Sequence, residues 1–109
     1  KSMATITVSY DGVDLILSDN GHTNASRSEQ INWHPGSGVK TVTNVTAKSS
    51  SPVPTENFWS NPPRENGVNF RGTINETVNG AWDYDISCNV GTNNNPVIKT
   101  KDPRIQVLS

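Results

Sequence analysis

The stretch Trp82-Asp83-Tyr84-Asp85-Ile86-Ser87-Cys88 alternates apolar and polar side chains without a break. Successive side chains of an extended backbone point to opposite faces, so Trp82, Tyr84, Ile86 and Cys88 form an apolar row and Asp83, Asp85 and Ser87 a polar one. The segment reads as a half-buried β-strand. A loop rich in Asn and Gly follows, and then Asp102-Pro103-Arg104-Ile105-Gln106-Val107, where Ile105 and Val107 again alternate with polar residues. The chain is organised around residues 80–107.

Working outward, Val68, Phe70, Gly72, Ile74 and Val78 share one parity. This predicts a strand that hands over to the Trp82 strand at Asn79-Gly80, a dipeptide suited to a two-residue hairpin turn. At the other end, Ile6, Val8 and Tyr10 alternate with Thr5, Thr7 and Ser9. Asp11-Gly12 then marks a tight turn into residues 13–18, with Val13, Leu15 and Leu17 on one face, a second expected hairpin. Residues 19–28 are polar, contain Gly21 and read as a loop. Residues 29–33 form the next strand, with Ile31 and Trp33 inward, and His34-Pro35-Gly36-Ser37-Gly38 ends it. Residues 39–47 are rich in β-branched side chains and read as a strand whose parity stays open, because Val39 and Val45 oppose Val42.

Residues 49–54 carry Pro52 and Pro54, which lack a donor and are incompatible with a central strand. Phe58 and Trp59 interrupt a polar connection that continues through Asn61-Pro62-Pro63-Arg64-Glu65-Asn66-Gly67, expected to run as a long excursion over one end of a sandwich. Residues 96–100 read as a short edge strand. No long helix, internal repeat or domain linker is visible.

The 109 residues suffice for one domain with a two-layer core, spanning residues 1–109, and not for a separate catalytic domain. Hydrophobic residues are only 31%, so the core is thin and Trp33, Trp59 and Trp82, each contributing about 1.5–3 kcal/mol on burial, matter disproportionately. Nine basic and ten acidic residues give a net charge of −1 with no basic run, so no attraction for nucleic acid is expected. No apolar run is long enough to cross a bilayer, and no membrane association is expected. Lys1-Ser2 before Met3 reads as an appended remnant. Met3 as the natural start implies a cytoplasmic protein, and a removed export signal implies an exported one. The single Cys88 precludes an internal disulfide and fits a reducing compartment or a bacterial protein that needs no bridge. Asn24, Asn44 and Asn75 head acceptor triplets for glycosylation, which an Asn- and Thr-rich chain produces by chance.

Gly80, Tyr84 and Cys88, a loop, and then Ile105-x-Val107 resemble the C-terminal end of the cupredoxins, small β-sandwiches that hold type 1 copper. Glu29-Gln30-Ile31-Asn32-Trp33 looks like the strand those proteins carry before their first copper ligand, and Val68-Asn69-Phe70 like the strand before the Gly turn. The resemblance spans residues 4–108 in order of elements. It implies an all-β, cupredoxin-like Greek-key β-sandwich.

The resemblance also implies a copper site, for which the ligands are incomplete. Type 1 copper takes two imidazoles, a thiolate and a weak axial thioether. Cys88 matches the thiolate position. Val39, Lys40 and Thr41 stand where the first His is expected, and Asn89-Val90-Gly91-Thr92-Asn93-Asn94-Asn95-Pro96 contains neither His nor Met. No metal and no cofactor are therefore expected. Cys88 and His34 would be ligands only in a divergent site, which is the remaining copper-binding alternative. Cys88 otherwise reads as a small buried hydrophobe completing the Trp82 row. His22 and His34 read as surface imidazoles.

Asp83 and Asp85 share a face, close enough for a cation or an acid/base pair, but read as a solvated strand face. No nucleophile elbow, phosphate-cradling loop or dinucleotide fingerprint is present, and no enzymatic activity is expected. Recognition remains, and Asn57, Trp59, Asn61 and Arg64 are the candidate ligand-binding residues: an aromatic plane beside amides and a guanidinium fork suits a sugar or a peptide. The alternative is that Phe58 or Trp59 plugs the open end of the sandwich. The sequence thus predicts a non-catalytic binding or structural module. Its partner is an unknown small molecule, glycan or protein, and it is a monomer or an edge-strand homodimer.

Overall fold

The computed structural model describes residues 3–108, so the reading of Lys1 and Ser2 as a remnant lies outside the described residues. The fold is all-β, with two mixed sheets stacked in a sandwich-like arrangement. The elements in chain order are β1 (Met3–Tyr10), β2 (Leu15–Leu17), β3 (His22–Ala25), β4 (Gln30–Pro35), β5 (Thr41–Ala47), the single-turn helix α1 (Thr55–Phe58), β6 (Trp59–Asn66), β7 (Asn69–Ile74), β8 (Gly80–Asn89), β9 (Ile98–Lys101) and β10 (Arg104–Val107). One sheet runs β2-β1-β4-β7-β6 and the other β3-β10-β8-β5, with β9 also paired to β8. The pairs β1–β4 and β3–β10 are parallel.

β8 carries the core of its sheet. Trp82, Tyr84, Ile86 and Cys88 are all buried, while Asp83, Asp85 and Ser87 point to the half-buried outer face, as the alternation predicts. Trp82 stacks on Tyr84 with ring centroids 4.9 Å apart, and Trp59 meets Trp82 edge-on at 5.0 Å. Trp33 and Phe58 complete an aromatic cluster that joins the two sheets. In a chain this poor in aliphatic residues, such rings supply much of the apolar area removed from water.

The open parity of residues 39–47 has a local cause. Val42 pairs with Cys88 and Asn44 with Ser87, so Thr43 is an extra residue in a β-bulge, and Val42 and Val45 both face inward although three positions apart. The first hairpin forms as expected, but Val13 is 70% exposed rather than on the inward row. The turn there is wider than Asp11-Gly12 alone, because Asp11 Oδ1 accepts hydrogen bonds from the backbone N–H groups of Val13 and Asp14.

Three expectations are corrected. Residues 19–28 are not all loop: His22–Ala25 pairs in parallel with β10 at the sheet edge, where a polar strand is tolerated because one side faces water. The stretch around Pro62-Pro63 is no excursion but edge strand β6, paired with β7 through two irregularities, the second of which contains both prolines. An edge strand accommodates proline because its outer N–H groups have no partner to lose. Asn79-Gly80 is not a hairpin turn either. β7 and β8 lie in different sheets, and residues 75–79 cross between them. Gly80 opens β8 at φ +126°, and a Cβ there would lie 2.8 Å from the Val53 side chain. The hairpin turn of this region is Gly67-Val68, which closes the Asn66–Asn69 pair.

Candidate functional site

Cys88 sits one residue before the end of β8, fully buried on the inward row. Burial alone pushes its thiol up to about 12, so it stays protonated at neutral pH. Its neighbour Asn89 is also buried and organises the loop beyond it. Asn89 Oδ1 accepts hydrogen bonds from the N–H of Gly91 at 2.8 Å and of Val97 at 3.1 Å, and Nδ2 donates to the Thr92 carbonyl at 3.4 Å. Within the loop Val90 N–H donates to the Val97 carbonyl, and Thr92 and Asn95 bond to each other. A Cβ at Gly91 would collide with the Asn95 carbonyl, so the closed loop excludes any side chain there.

The two imidazoles are elsewhere. His34 is exposed on β4, on the face opposite Trp33, where Nδ1 bonds with Asn69 Oδ1 at 3.0 Å. His22 is exposed on β3, where Nε2 bonds with Asn24 Oδ1 at 3.1 Å. An outward imidazole on one sheet and an inward thiol on the other do not converge. No three His, Cys, Asp or Glu among the described residues are placed to hold a metal ion. These donors do not fit type 1 copper.

The outer face of β8 holds its carboxylates in ion pairs. Arg104, directly opposite Asp83 on β10, donates from Nε at 2.6 Å and from a terminal nitrogen at 3.0 Å to the two oxygens of Asp83. That fork holds the Asp83 carboxyl below its ordinary value. Asp85 pairs with Lys48 at 3.1 Å.

The four residues proposed for ligand binding separate. Trp59 is only 2% exposed, and its ring lies against Trp33, Phe58 and Trp82, so it is no stacking platform. The bare Gly72 gives that ring room: a Cβ there would meet Trp59 Cζ3 at 3.0 Å. Phe58 is likewise buried, so both rings close the core. Asn57 is exposed on α1 and is not among the residues that line the cleft formed by the other polar members.

Asn61 and Arg64 do come together. They line a polar cleft of about 270 Å³ with Gln30, Glu65, Asn66, Arg71 and Thr73. Arg64 on β6 and Arg71 on β7 are direct cross-strand partners, and on its other side Arg71 faces Asn32. Neither guanidinium forms an ion pair among the described residues. Arg71 Nε is buried without an acceptor among the described residues. Gln30, Arg71 and Thr73 are not evident as site residues from the sequence. The outward parity of Arg71 and Thr73, opposite Phe70, Gly72 and Ile74, is the available signal, but it becomes a site only once residues 59–66 are known to pair beside it.

No family model matches the chain, and no curated protein matches it.

Proposed function

We propose that this chain is a cupredoxin-like Greek-key β-sandwich without a copper site, acting as a non-catalytic binding module whose contact surface includes the β6–β7 cleft. The fold half of this reading is supported by the order of elements around Cys88. A long strand ends at a thiol, a loop returns to β9, and a closing Ile105-x-Val107 strand pairs back onto β8. The metal-free half is carried by one observation, the Asn89-closed loop. Where the resemblance calls for imidazole and thioether ligands, a buried amide ties the loop to itself.

The binding half is supported by the cleft that keeps Asn61 together with the guanidinium groups of Arg64 and Arg71, neither of them in an ion pair among the described residues. The carbohydrate or peptide alternative survives there in altered form, resting on amides and arginines rather than on the Trp59 ring. Adding Cu(II) to the purified protein tests the metal-free reading. The expected spectrum has no intense visible sulphur-to-copper band, and such a band, lost in Cys88→Ser, would overturn it.

A further inference from the structure

Arg71 stands out among the charged residues by its surroundings. Arg104 has a carboxylate as its cross-strand neighbour and grips it with two hydrogen bonds. Arg71 has Asn32 on one side and a second arginine, Arg64, on the other. Like charges directly opposite on neighbouring strands repel, and a buried guanidinium N–H without an acceptor is a further unfavourable feature. An oxyanion in the cleft relieves the repulsion between the two arginines, since a planar carboxylate matches the guanidinium fork.

The lining narrows the choice. Glu65, which also lines the cleft, offsets one of the two guanidinium charges, leaving a net charge of one, which suits a singly charged carboxylate better than a phosphate dianion. The remaining side chains are the amides of Gln30, Asn61 and Asn66 and the hydroxyl of Thr73, with no aliphatic or aromatic anchor of the kind that peptide recognition uses. A volume of about 270 Å³ is just below the roughly 300–1,000 Å³ of sites for drug-sized ligands.

Resting on the reading of this face as a binding surface, we propose that the β6–β7 cleft binds a sugar acid. Arg64 and Arg71 hold the carboxylate, and Gln30, Asn61 and Thr73 take the hydroxyls.

The test titrates isotope-labelled protein with sodium glucuronate at low salt and follows backbone amide shifts, with glucose and sodium acetate as comparisons. Glucuronate is expected to shift amides of residues 61–73 saturably, and glucose and acetate to bind at least tenfold more weakly. Arg71→Gln should weaken glucuronate at least tenfold. Arg64→Gln, at an exposed edge position, should do likewise, so the outcome does not depend on one variant folding. Absence of shifts with glucuronate, or shifts unchanged in both variants, would overturn the proposal, and acetate binding as tightly would overturn its sugar component. An acidic peptide that shifts the same amides where glucuronate does not would overturn the sugar acid while leaving the binding face standing.

Discussion

Trp33 Nε1 donates a hydrogen bond to the Tyr84 hydroxyl at 3.1 Å, fastening β4 of one sheet to β8 of the other through the middle of the core. Both side chains are fully buried, so each polar atom depends on the other. Trp59, its neighbour at 6.0 Å, is different: its indole N–H has no acceptor among the described residues.

That contrast orders two substitutions. Trp33→Phe removes ring volume and also strands the Tyr84 hydroxyl, whereas Trp59→Phe removes ring volume together with an unmet donor. Trp33→Phe is therefore expected to destabilise the protein by about 2 kcal/mol more than Trp59→Phe. Urea unfolding of the two variants checks this, and equal losses would contradict it.

The Cys88 thiol should be inert in the folded protein. With its titration pushed up to about 12 and no exposed surface, it should react with a thiol reagent at pH 8 only as fast as the chain unfolds. Its ordinary value is 9.0, and burial also raises the Tyr84 hydroxyl above its ordinary 10.0. Above those values the unfolded chain loses protons that the folded one keeps. The stability contribution is therefore fully present below about pH 9 and is lost as pH rises toward 12. Unfolding midpoints should hold up to about pH 9 and fall from there to pH 11, less steeply in Cys88→Ala.

Asp83 governs the acid side. Arg104 depresses its titration below the ordinary 3.8, so the folded state holds the charged form where the unfolded chain takes up a proton. The stability this adds is present above that ordinary value and disappears as pH falls through the depressed one. Asp83→Asn should be less stable than the parent at pH 7, and the difference should shrink as the pH is lowered toward 2. A difference that does not change with pH would show that the pair contributes nothing through charge.

How far the sequence reveals the fold depends on local patterning. The Trp82 to Cys88 row is legible because its alternation is unbroken and one face is buried throughout. The bulge at Thr43 hides the register of β5, since one inserted residue reverses the parity of every later position in the strand. β3 escapes notice because His22-Thr23-Asn24-Ala25 has no apolar row to bury, and β6 because two prolines read as a loop when strand neighbours are unknown. Asn79-Gly80 has the composition of a hairpin turn, but β7 and β8 belong to different sheets, and the hairpin of this region turns at Gly67-Val68 instead. For the same reason the cleft is half legible. Asn61 and Arg64 sit on the segment chosen for its polar groups, while Arg71 joins them only through strand pairing.

The Asn89 side chain holds the loop after Cys88 closed and leaves it unshaped for a metal, and amide hydrogen exchange at Gly91 and Val97 reads that closure. Both N–H groups donate to Asn89 Oδ1, so they should exchange far more slowly than those of Asn93 and Asn94 at the loop tip. Asn89→Ala should abolish that protection. Exchange at Gly91 and Val97 as fast as at the tip in the unaltered protein would contradict the account.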